Sequence, residues 1–212
     1  MPGIPNYRGL RRTPNRKALL DAAEELFGRN GFGAVSVDDI VARAGVAKGT
    51  FYNHFASKED IAGKLALDIR FEVRDRISLI KPTSSDPAIH LAIAATLFLD
   101  LARTKPRRAW ILANLLGEAT DVQAAMNEPV RQTLAAGMAQ GRFRSASPEV
   151  ALVVVLGIVA AGIRHIVERP PPDPQAFSVT LTAHLLGALG LPNHEVQAIL
   201  AAPVVAAIRA GA

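Results

Sequence analysis

Within the stretch Lys48-Gly49-Thr50-Phe51-Tyr52-Asn53-His54-Phe55, two phenylalanines stand four residues apart among polar neighbours. On a helix, residues i and i+4 share a face, so Phe51 and Phe55 anchor the segment to a core and Lys48, Gly49, Thr50, Tyr52 and Asn53 turn outward. That outward set carries the chemistry of base and phosphate recognition. Lys48 can pair a phosphate or a guanine, Thr50 can donate a hydrogen bond or touch a thymine methyl, Tyr52 can reach a phosphate, and Asn53 can read adenine. Gly49 allows close backbone approach. Upstream, Arg8, Arg11, Arg12, Arg16 and Lys17 form a basic arm with no acidic residue among positions 1–20. Two readings of the arm stand: a solvated tail, or a set of salt-sensitive backbone and minor-groove contacts from Arg11, Arg12 and Arg16.

The elements that must position these groups are punctuated clearly. Thr13 as N-cap with Pro14 at N1 opens a first helix whose apolar residues Leu19, Leu20, Ala23, Leu26 and Phe27 recur at helical spacing, and Gly31 stops it. Ser36 caps a second helix with Asp39 in capping-box position; Val37, Ile40, Val41 and Ala44 form its apolar face and Gly45 ends it. After the turn Ala44-Gly45-Val46, a third short helix runs from Ala47 or Lys48 to His54. Ser57 and Asp60 then open a long amphipathic helix through about Ile80. Helices two and three have helix-turn-helix proportions, in which the second helix enters the major groove and the first crosses the backbone. Lys81-Pro82-Thr83-Ser84-Ser85-Asp86-Pro87 reads as a linker. Beyond it, apolar helical stretches are expected at 87–103, 106–118, 122–139, 148–168, 175–189 and 193–208.

The chain of 212 residues is half apolar and one-fifth charged, which excludes disorder for most of its length. Cysteine is absent, which excludes a disulfide framework, cysteine-bound zinc, iron–sulfur clusters and thiol nucleophiles, and fits a reducing cytoplasm. The net charge of +5 favours an acidic partner. The N-terminus lacks the apolar core of a secretory signal. The apolar run Val150–Ile163 falls short of the roughly 18–20 residues that cross a bilayer, so it reads as a buried helix and no membrane partner is expected. Few aromatics and abundant alanine and leucine make the fold class all-α; only Val153-Val154-Val155 offers a competing strand.

The segment Ala18–Ile61 closely resembles the N-terminal domain of the tetracycline-repressor-like, or TetR, family of transcriptional regulators. The resemblance rests on Ala23, Leu26, Phe27 and Gly31, on Ile40, Ala44, Gly45 and Val46, and on Gly49, Phe51, Tyr52, His54, Phe55, Lys58 and Glu59. One departure is Ala47, where members often carry a serine that caps the recognition helix and contacts phosphate. The resemblance implies a three-helix DNA-binding domain at 1–57 and a helical effector-binding and dimerisation domain at 58–212, with helix four (58–80) connecting them. It further implies a two-fold homodimer on a palindromic operator of double-stranded DNA, released by a small-molecule effector. Carried over, Ser36, Tyr52, His54 and Lys58 make mostly phosphate contacts while Lys48, Gly49, Thr50 and Asn53 lie on the reading face. Tyr52 and His54 also admit a plain packing role at the junction of helices three and four.

In the second module, the apolar helices around Val150–Ile163 and Phe177–Leu189 are the dimer-interface candidates. Effector cavities combine apolar walls with a few polar groups, which singles out His90, Thr96, Asp100, Asn114 and Glu118, with Phe98, Trp110, Leu115 and Met126 as walls. Asp100, set among leucines, could pair a cationic ligand, or it could lie on the solvent side beside Arg103. No catalytic constellation emerges: the five histidines are scattered, His194-Glu195 lacks a second metal-spaced histidine, and no Rossmann or Gly-x-Ser-x-Gly signature occurs. No metal and no cofactor are implied. The expectation is a ligand-responsive regulator, most simply a repressor; the alternative is a helix-turn-helix protein without an effector, architectural or constitutive.

Overall fold

The computed structural model describes residues 14–80, 84–118, 127–144 and 147–210. Among them every regular element is helical: α1 (Pro14–Asn30), α2 (Val37–Ala44), α3 (Lys48–Tyr52), α4 (Lys58–Ile80), α5 (Pro87–Thr104), α6 (Pro106–Glu118), α7 (Glu128–Ala139), α8 (Pro148–Glu168), α9 (Pro174–Ala188), α10 (Asn193–Ala201) and α11 (Pro203–Ala210). The valine run at 153–155 sits inside α8 and forms no strand. Many helices begin at a proline, where the missing N–H is no loss because the first turn has no acceptor for it. The expected single helix at 193–208 divides in two, since Pro203 cannot donate to the ladder and starts α11 instead.

The chain forms two compact units, one up to Leu65 and one from Ala66. That division falls within α4, whereas the sequence places the domain limit at 57/58. In the first unit, Leu19, Leu20, Ala23 and Phe27 of α1 meet Ile40 and Val41 of α2, Phe51, Phe55, and Ile61 and Leu65 of α4 in a closed core. Gly45 ends α2 in the left-handed conformation, φ 67°, and its N–H caps the Ala42 and Val41 carbonyls.

In the second unit α5 is buried almost all round, from Leu91 and Ile93 to Leu99 and Leu101, as befits a central helix. α8 packs against α5, α6, α7 and α9. Gly162 makes this approach close: a Cβ there would lie 2.2 Å from Leu181 Cδ2 and 2.8 Å from Leu99 Cδ2. Arg142 binds Asp86, the N-cap of α5, at 2.9 Å and also pairs with Glu195 of α10. By length and composition α5 and α8 could each cross a bilayer, α8 being 21 residues long, but their apolar windows are 61% and 44% buried inside the fold. The helix, not the apolar run alone, sets the length of α8.

Candidate nucleic-acid interface

The turn between α2 and α3 is fixed at both ends. At the start of α2, Ser36 Oγ accepts from the Asp39 N–H at 3.1 Å and Asp39 Oδ2 accepts from the Ser36 N–H at 2.8 Å. The Ser36 hydroxyl also donates to Asp39 Oδ2 at 2.6 Å, and this bond, with that from the Ser36 N–H, holds the Asp39 carboxyl below its usual range. At the other end, α3 has five residues and no side-chain cap at Ala47. So short a helix does not hold itself together in water; its tertiary anchors do. Those anchors are Phe51 and Phe55, fully buried with ring centroids 5.7 Å apart.

With the phenylalanines turned in, Lys48, Gly49, Tyr52 and Asn53 are exposed and Thr50 and His54 half-buried. Tyr52 is 54% exposed although its ring packs edge-on against Phe51 at 5.3 Å. A large aromatic left in water on such a face is the arrangement that phosphate and base contacts use. His54 leans on Phe55 at 6.4 Å. Lys58 is half-buried: its ammonium donates to the Phe32 carbonyl at 2.9 Å and stands 4.3 Å from the Phe32 ring centroid. Arg16 of the arm lies over Phe55 at 5.3 Å, whereas Arg11 and Arg12 lie outside the described residues.

A feature absent from the sequence reading is the ion pair between Lys48 and Asp38. Nζ of Lys48 contacts both Asp38 oxygens, at 2.8 and 3.0 Å, and that hydrogen bond raises the lysine above its ordinary range. The pair joins the first turns of α2 and α3, ten residues apart in sequence, so only the fold brings it together.

A model of the bacterial regulatory proteins of the tetR family matches residues 19–65, and one of the tetracyclin repressor-like C-terminal domain matches residues 86–202. The chain belongs to the TetR family of transcriptional regulators. That family is one of DNA-binding regulators, not enzymes. The HTH-type transcriptional repressor DhaR of Mycobacterium sp. (strain GP1) is 36% identical over 78 residues, 37% of this chain and 39% of DhaR. The HTH-type transcriptional activator FasR of Mycolicibacterium smegmatis is 44% identical over 62 residues, 28% of each chain. These alignments thus span well under half of either relative. Among solved structures, RolR in complex with resorcinol shares the fold, with a TM-score of 0.68 and 23% identity, covering 89% of this chain and 94% of that one.

In the TetR C-terminal unit, the described pocket candidates Thr96 and Asp100 border one hollow, and Phe98, His90 and Trp110 are not among its lining residues. Asp100, 14% exposed, pairs with Arg103 at 2.8 Å and with Arg76 of α4 at 3.5 Å, so its carboxylate already has cations. With Thr96 and Arg103 it borders a hollow of about 20 Å³, room for one water. Phe98, two residues along, points about 160° away around the helix. His90 shares a hydrogen bond with the Ser84 carbonyl at 2.9 Å near the start of α5, and Trp110 is half-buried on α6. The side chains of Asn114, Leu115 and Glu118 lie outside the described ones, as does Met126. A part-buried polar pair that sequence reasoning missed lies elsewhere. Both terminal nitrogens of Arg70 on α4 donate at 3.2 Å to the side-chain oxygen of Asn127, which is fully buried. Burial pushes the Arg70 guanidinium down to about 10.

Proposed function

We propose that this TetR-family chain is a ligand-responsive, sequence-specific repressor that acts as a homodimer on a palindromic operator in the cytoplasm. The observation that carries the reading is the anchored α3, its phenylalanines buried and Lys48, Thr50, Tyr52 and Asn53 on the opposite side. Lys48, Thr50 and Asn53 face base edges with Gly49 permitting close approach, while Ser36, Tyr52 and His54 meet phosphates. Lys58 donates one N–H to the Phe32 carbonyl and has two left for a phosphate. Arg11, Arg12 and Arg16 add backbone contacts. The dimer forms through α8 and α9, where Val150 and Val153 stand about half exposed along one face of α8. RolR's resorcinol complex supports an organic effector for the C-terminal unit, where Asn127 and Thr96 are buried polar groups and Arg70 is half-buried. Repression follows DhaR; FasR makes activation the competing outcome.

The test is retention of fragments of the source genome by the purified protein across a salt series. Enrichment of a palindrome, two half-sites about one helical turn apart, supports the reading. Broad retention that vanishes with modest salt would instead favour an architectural protein without an effector.

A further inference from the structure

The Lys48–Asp38 pair has a geometry that matches one base pair. Both side chains are exposed, 54% and 67%, and both sit at the N-terminal ends of the helix-turn-helix helices. The recognition helix presents its N-terminal residues, Lys48 first among them, to base edges, and the ion pair holds Asp38 of the preceding helix beside that position. The pair offers a cation and an acceptor about 3 Å apart. In a C·G pair, the cytosine N4 amine and guanine O6 are themselves hydrogen-bonded, hence about 2.9 Å apart, and both remain open to the major groove. Guanine N7 beside O6 gives an ammonium a second acceptor. An A·T pair lacks that adjacent double acceptor and sets the thymine methyl beside O4.

We propose that Asp38 and Lys48 read a single C·G pair in each half-site, Asp38 accepting from cytosine N4 and Lys48 donating to guanine O6 and N7. The proposal rests on docking of α3 in the major groove. It gives Asp38 a second consequence. On any other sequence its charge repels phosphates and holds Lys48 back, so the pair lowers non-specific affinity while sharpening choice.

Randomised duplexes incubated with wild type, Asp38→Ala and Asp38→Asn test this, with folding of each checked by circular dichroism. Wild type should select a fixed C·G pair in each half-site. Asp38→Ala should relax that pair alone, with discrimination falling roughly tenfold, and should bind random duplex more tightly with a steeper salt dependence as Lys48 turns to phosphate. Asp38→Asn, which keeps the shape and one acceptor, should fall between. An unchanged selected sequence and salt slope in Asp38→Ala overturns the proposal, as does a uniform weakening at every position. If wild type selects no sequence at all, the docking of α3 fails with it.

Discussion

Removing Phe51 tests how α3 is held. Phe51 is fully buried, touches Phe55 and Tyr52, and anchors a helix of only five residues. A buried aromatic withdraws about 150–250 Å² from water, which at about 25 cal/mol per Å² is about 4–6 kcal/mol as an upper bound. Phenylalanine-to-alanine truncations in cores cost about 3–5 kcal/mol. Against a total stability of about 5–15 kcal/mol for a whole domain, Phe51→Ala therefore removes much of what holds the first unit. At about 4–8 °C per kcal/mol for a unit of this size, its melting transition should fall by at least about 12 °C. Thermal scans followed by circular dichroism, paired with duplex binding, read this directly. The unit beginning at Ala66 has its own core, so its helicity should persist to higher temperature. DNA binding should be lost while most of the helical signal remains. A Phe51→Ala protein with an unshifted melt and undiminished DNA binding would refute the anchoring argument.

Other consequences are as specific. Ser36→Ala should cost about 1 kcal/mol in urea unfolding of the first unit, the usual loss for an N-cap. Because Ser36 holds the Asp39 carboxyl below its ordinary value of 3.8, the stabilisation from Asp39 is present at neutral pH and fades as pH falls below about that value. Asp39→Asn should flatten this acid limb. Gly45→Ala places a Cβ in the left-handed region and should cost about 1–2 kcal/mol by the same unfolding assay. Val153→Glu puts a charge on the exposed face of α8; sedimentation should show monomer, and selective retention of the palindrome should be lost with it.

Much of the architecture is readable from local signals, for physical reasons that stop at definite places. Pro14, Pro87, Pro106, Pro148 and Gly45 mark helix ends because their backbone preferences act within one turn. Phe51 and Phe55 reveal which side of α3 is buried because a helix's periodicity is local. Asp38 escapes notice because its partner Lys48 comes from another helix. Asp100 looks stranded among leucines until Arg76 arrives from α4. Arg70 and Asn127 are 57 positions apart, and nothing in either neighbourhood announces the other. Of the residues chosen along α5 for an effector site, Thr96 and Asp100 share a face and border one hollow, while Phe98 falls on the far side because a helix turns about 100° per residue.

The central claim is that the outward side of α3 binds the operator. It is tested most directly by fluorescence anisotropy of a selected palindromic duplex with wild type and the double variant Lys48→Ala, Tyr52→Ala. Both side chains are more than half exposed, so the variant should fold and melt as wild type does. The account predicts that it binds at least about tenfold more weakly and with a shallower salt dependence. A folded double variant that binds the duplex at wild-type strength would contradict it.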